Sequence, residues 1–112
     1  MTLSRTLLYS SSPRRTDPVQ ITEFQRLIEE LYLKKDTARG LEGTHMWFCE
    51  EVGELTRALR RGQTEELEGE FADVLAWLAS MASMVGIDLE AAARKKYAEG
   101  CPRCSSTPCA CG

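Results

Sequence analysis

The chain has 112 residues, a formal net charge of −3, and 28% charged against 43% hydrophobic residues. That length supports one domain with a modest core, which oligomerisation would help to complete. The charge offers no positive excess for neutralising phosphates, and no apolar run approaches the ~18 residues of a membrane span. Neither a nucleic acid nor a membrane is therefore expected as a partner.

Residues 1–17 are polar and aperiodic around Ser10-Ser11-Ser12-Pro13-Arg14-Arg15, and read as a flexible N-terminal tail. Leu3 to Tyr9 is too short and interrupted for the apolar core of a signal peptide, so a cytoplasmic location is expected.

The first predicted helix begins between Asp17 and Thr22. Asp17-Pro18 offers a cap followed by proline at the first helical position, and Thr22 with Gln25 is an alternative capping box. Phe24, Leu27, Ile28 and Leu31 repeat at helical spacing, and the pattern fades near Lys34–Ala38. Gly40 and Gly43 bracket a short connection.

The second helix is expected from about Thr44, its cap, to Leu59, with Arg60-Arg61-Gly62 ending it. Thr64 is the expected cap of a third helix that runs to Val85 and stops at Gly86. Asp88 caps a fourth, which carries Arg94, Lys95 and Lys96 and ends at Gly100 and Pro102. No stretch alternates like a strand. The fold class is all-α: a four-helix, bundle-like domain over residues 18–100, followed by a short Cys-rich C-terminal tail over residues 101–112.

Two acidic motifs interrupt the apolar helices: Glu50, Glu51 and Glu54, then Glu70 and Asp73. Acids three apart share a helix face. At roughly 100° per residue, Phe48, Val52, Leu55 and Leu59 form one stripe, bordered by Glu51. Glu70 falls on the apolar arc of the next helix, between Val74 and Trp77, and Asp73 lies at its margin. A buried ionised acid costs several kcal/mol unless a cation or hydrogen bonds compensate. Either motif alone is consistent with a solvated helix face, but the two together point to a metal site.

The ligands are all oxygen, which suits Mg²⁺, with Mn²⁺ as the substitute. A di-iron bundle would want Glu-x-x-His pairs. The single histidine, His45, lies in neither motif and reads as a helix-start or packing residue. Hard cations on carboxylates are the usual setting for phosphate chemistry. Arg94, Lys95 and Lys96 are either cations for distal phosphates or an ordinary basic helix end.

Glu50-Glu51-x-x-Glu54, a short spacer, then Glu70-x-x-Asp73 resembles the motif of the MazG family of nucleotide pyrophosphohydrolases. That family is part of the all-α superfamily that includes dimeric dUTPases and phosphoribosyl-ATP pyrophosphohydrolases. The resemblance covers roughly residues 21–99. It implies Mg²⁺-dependent hydrolysis of a nucleoside triphosphate between the α and β phosphates, giving monophosphate and pyrophosphate. It places metal ligands at Glu51, Glu54, Glu70 and Asp73, and at Glu50 the acid that binds a further metal or orients the attacking water. Lys96 falls at a phosphate-binding position, but Tyr97 stands where relatives often have Asn. Trp47 is a candidate to stack on a base, with core packing as the alternative, and Arg39 is a weaker substrate contact. The resemblance also implies a homodimer or homotetramer. The apolar side chains Trp77, Leu78, Met81, Met84 and Val85 suit a dimer seam and a monomer core equally.

Cys101, Cys104, Cys109 and Cys111 lie outside that pattern. Four thiolates suit tetrahedral Zn²⁺, although only four residues separate the two halves. Strain in a single-chain site, a site shared between subunits, disulfide chemistry and a disordered tail are the alternatives. Cys49, in mid-helix, reads as a buried small residue. If the acids are only structural, the second reading is a non-catalytic helical oligomer whose zinc-bearing tail recruits a partner.

Overall fold

The structure, a computed structural model, describes residues 19–112. The expected N-terminal tail and the Asp17-Pro18 cap lie outside the described residues. The rest is all-α, with four helices and no strand among the described residues: α1 (Ile21–Arg39), α2 (Leu41–Arg61), α3 (Thr64–Met84) and α4 (Leu89–Tyr97). No single one of these helices is long and apolar enough to cross a membrane.

α1 is capped by Gln20, whose backbone N–H donates to Glu23 Oε1 at 2.9 Å. The alternative box of Thr22 with Gln25 does not form, because both residues are engaged elsewhere. Thr22 N–H donates to Glu90 Oε1 of α4 at 3.0 Å. Gln25 is buried, and its amide donates to Ser83 Oγ and to the Ile87 carbonyl. Its oxygen accepts from Leu89 N–H. One amide thus satisfies backbone groups freed where α3 ends and α4 begins, and fixes that elbow on α1.

α1 and α2 run longer than the hydrophobic pattern suggests. A single residue, Gly40, separates them, with φ at 91°. In this left-handed region glycine carries no Cβ penalty. Thr44 is therefore no cap. It lies inside α2, fully buried, with its hydroxyl donating to the Gly40 carbonyl at 2.9 Å. The N-cap of α3 is Gln63, one residue before the expected Thr64. Gly62, at φ 72°, ends α2 as expected, and Asp88 caps α4 by accepting from Ala91 N–H at 3.0 Å.

α2 and α3 form a helical hairpin with the most extensive contact in the domain, and α1 lies against α3. α4 leaves α3 at 96° and packs chiefly on α1. Among the described residues the buried apolar set is small: Ile28, Ala58, Ala79 and Ala82. The apolar arc of α3 is divided. Leu67, Val74, Trp77 and Met81 are half-buried against the other helices. Phe71, Leu75, Leu78 and Val85 are exposed and form an i, i+4, i+7, i+14 stripe on the outside. On α2, Val52 and Leu59 are likewise exposed. Cys49 is exposed too, against the buried position expected of it.

Candidate active site

The helical hairpin brings acids from both motifs together. Carboxylate oxygens of Glu51 on α2 and of Glu70 and Asp73 on α3 all lie within 4.8 Å of one another. The i, i+3 spacing places the α3 pair on the face that meets α2. Glu70 is half-buried, and its Oε1 is buried with no hydrogen-bond partner. An acceptor in that position is costly unless a cation or donor satisfies it. Glu51 shows the same strain electrostatically. Burial first, then the charges of Asp73 and Glu70, push its carboxyl above the ordinary value. Three oxygen ligands with one acceptor left open fit a hard divalent cation.

The other two acids of the first motif stand differently. Glu54 is half-buried and ion-paired with Arg57, one turn on along α2. It is not one of the three converging residues. Glu50 is exposed and is not one of the converging residues either. Glu66, which the sequence motifs do not single out, lies one turn before Glu70. It pairs with Arg61 at 2.9 Å, and its Oε1 is also buried without a partner. The i, i+4, i+7 spacing of Glu66, Glu70 and Asp73 was the available signal for it.

A cleft of about 260 Å³ opens between α1 and α3 beside Asp73. Tyr32, Lys35, Arg39, Trp77 and Ser80 line it. Arg39 is held there by buried Asp36 at 2.8 Å and by Thr44 Oγ1 at 3.3 Å. Its guanidinium lies over the Trp77 ring, 5.1 Å from the centroid. Trp47 stacks on Trp77 with centroids 6.1 Å apart and planes at 12°. The Asp36–Arg39 spacing was readable as a helical pair. Tyr32, Lys35 and Ser80 carried no signal, because a cleft between two helices has no local pattern.

Lys95 and Lys96 lie elsewhere in the single chain. About 16 Å of helical rise separates Asp73 from the end of α3, and α4 turns away there at 96°. Lys96 Nζ lies 5.8 Å from the Tyr97 ring centroid. With Arg94 and Lys95 it lines a basic cleft that also touches Cys101.

At the C-terminal end, the thiols of Cys101, Cys104, Cys109 and Cys111 lie within 4.8 Å of one another. Backbone N–H groups of Ala110 and Ser106 hold the Cys104 thiol down to about 6. The neighbouring sulfurs, Cys109 foremost, push Cys111 up to about 11.

No curated protein matches the sequence. The family model of the MazG nucleotide pyrophosphohydrolase domain matches residues 39–105. That span holds both acidic motifs, the α2–α3 hairpin that joins them, and the first two cysteines of the tail. With more than half its length inside that match and its carboxylates converging between consecutive helices, the chain belongs to the MazG family of nucleotide pyrophosphohydrolases.

Proposed function

We propose that the protein hydrolyses a nucleoside triphosphate between the α and β phosphates, releasing monophosphate and pyrophosphate, in a reaction that depends on Mg²⁺. The observation that carries this reading is the convergence of Glu51, Glu70 and Asp73 around an unsatisfied buried oxygen. These three residues would hold the cation, with Mn²⁺ as a substitute. Glu54 would join them once released from Arg57. A bound divalent cation would neutralise phosphate charge and raise the acidity of water.

The chain's own groups supply the rest. Glu50, exposed and next to Glu51 in the sequence, accepts a proton from the attacking water. Lys35 and Arg39 line the cleft beside Asp73, and would meet phosphate oxygens there. The Trp77 ring forms an apolar wall for the nucleoside, and Trp47 buttresses it. Without a cation, the acids repel a polyphosphate.

The protein works as a homodimer or homotetramer in the cytoplasm. The exposed stripes on α2 and α3, above a core with little buried apolar volume, support assembly of a second copy on the hairpin. In such an assembly, Lys95 and Lys96 of one protomer would be offered to the site of its partner.

The deciding experiment is pyrophosphate release from canonical and modified nucleoside triphosphates with Mg²⁺, Mn²⁺ or EDTA. Metal-dependent release with monophosphate as co-product is expected. Release of single phosphates, or no release by folded protein, would overturn the assignment.

A further inference from the structure

We infer that Cys101, Cys104, Cys109 and Cys111 bind one Zn²⁺ within a single chain, as a structural knuckle that closes the C-terminal end of α4.

The geometry suits the ion. A tetrahedral site with Zn–S bonds of about 2.3 Å has sulfurs about 3.8 Å apart along each edge. Cys101 Sγ lies 3.8 Å from Cys111 Sγ, and all four sulfurs lie within 4.8 Å of one another. These two cysteines come from opposite ends of the tail, so one chain alone draws the set together.

The backbone accommodates the short spacing by folding back. Ser105 N–H donates to the Cys101 carbonyl at 2.7 Å, and Cys101 N–H donates to the Ser106 carbonyl at 3.1 Å. Ser105 adopts φ 58°, and Gly100 adopts φ 100°. A Cβ at Gly100 would lie 2.9 Å from Thr107 Oγ1 and 3.0 Å from the Ser106 carbonyl. Glycine there lets the returning segment lie against the helix end. Two backbone N–H groups point at sulfur, Ala110 to Cys104 and Cys111 to Cys109, each at 3.3 Å. Such donors orient thiolate ligands and share their charge.

The tail has no apolar core to hold this shape. Residues 101–112 contain no Leu, Ile, Val, Met or aromatic residue, and none of them is fully buried. A segment without a core takes its order from cross-links or a metal. Four thiolates around Zn²⁺ carry a net double negative charge. Arg94, Lys95 and Lys96 line the cleft that includes Cys101, and stand near enough to moderate it. Zn²⁺ has no directional demand from its d electrons, which suits an uneven Cys-x₂-Cys-x₄-Cys-x-Cys spacing.

The test uses the full chain, purified without added metal, with zinc and iron measured by mass spectrometry. About one zinc per chain is expected in the wild type and in Glu70→Gln, and none in Cys104→Ser or Cys109→Ser. Addition of Co²⁺ to stripped wild-type protein should give thiolate-to-metal charge-transfer bands and intense tetrahedral d–d bands. That signature reports sulfur ligation even if the serine variants fail to fold. Half a zinc per chain would mean a site shared between copies, and would overturn the inference. Iron in place of zinc, zinc lost in Glu70→Gln but kept in Cys104→Ser, or disulfides among the four cysteines would each overturn it as well.

Discussion

Trp47 of α2 stacks on Trp77 of α3, with centroids 6.1 Å apart, while the Arg39 guanidinium lies 5.1 Å from the centroid of that same Trp77 ring. Three helix segments thus meet on one indole at the wall of the cleft. Trp77→Ala should lower stability by about 3 kcal/mol through lost packing, and should also raise KM for nucleotide. Trp47→Ala removes the stack, worth about 0.5–1.5 kcal/mol beyond area, together with the covered half of the Trp47 ring. Thermal denaturation and steady-state kinetics on both variants check this; a rise in KM for Trp47→Ala larger than for Trp77→Ala would assign the base contact to Trp47 instead.

Glu70→Gln and Asp73→Asn should each lower turnover by about a hundredfold or more, since even residues that merely orient metal ligands cost about 10–100-fold. In metal-free protein the same variants should melt a few degrees higher, about what ~1 kcal/mol gives in a domain this size, because like charges are removed from the group. Added Mg²⁺ should stabilise the wild type and leave the variants unmoved. Undiminished turnover in either variant would contradict the proposed roles.

The pH dependence of the metal-free protein follows from Glu51. Its carboxyl is raised in the folded state by burial and by Asp73 and Glu70. Its contribution is therefore fully present below the ordinary carboxylate value and is lost as pH rises through the folded value. Metal-free protein should gain stability on mild acidification, and Glu51→Gln should flatten that gain. Glu90 has the opposite sign. The Thr22 N–H, then Arg94, hold its carboxylate below the ordinary range. Its stabilising contact is present above the ordinary value and fades as pH falls through the lowered one. Urea melts of wild type, Glu51→Gln and Glu90→Gln across the acid range would separate the two.

The exposed stripe predicts an assembly that a single charge can break. Leu78→Glu on α3 should shift the protein to monomer at micromolar concentration, with helical content retained. Sedimentation velocity with circular dichroism checks it. If the wild type is itself monomeric, the seam is not an interface.

How much of this was legible depends on range. The Glu70–Asp73 pair and the caps Gly62 and Asp88 are local, so spacing revealed them. The convergence of Glu51 with that pair was an inference from two amphipathic faces meeting. The hidden features are those where a side chain takes a partner that its spacing does not announce. Gln25 looked like half of a capping box, but its amide is taken by Ser83, Ile87 and Leu89. Thr44 looked like a cap, but Gly40 alone makes the turn, which leaves that hydroxyl inside α2. Glu54 looked equivalent to Glu51, and only the side-chain geometry shows Arg57 holding it. The sulfurs of the tail could be counted, but not the hydrogen bonds between Cys101, Ser105 and Ser106 that fold the short spacing back on itself.

The one-residue joint at Gly40 limits how copies of this chain can exchange parts. With one residue between α1 and α2, α1 passes to a neighbour only if Gly40 leaves its φ of 91° and the angle between the two helices opens. An oligomer built on the hairpin that keeps this joint closed keeps each α1 on its own protomer, together with Tyr32, Lys35 and Arg39. Every copy retains a complete wall for its own cleft. Nucleotide bound at saturation should therefore count one per chain, whether two chains assemble or four.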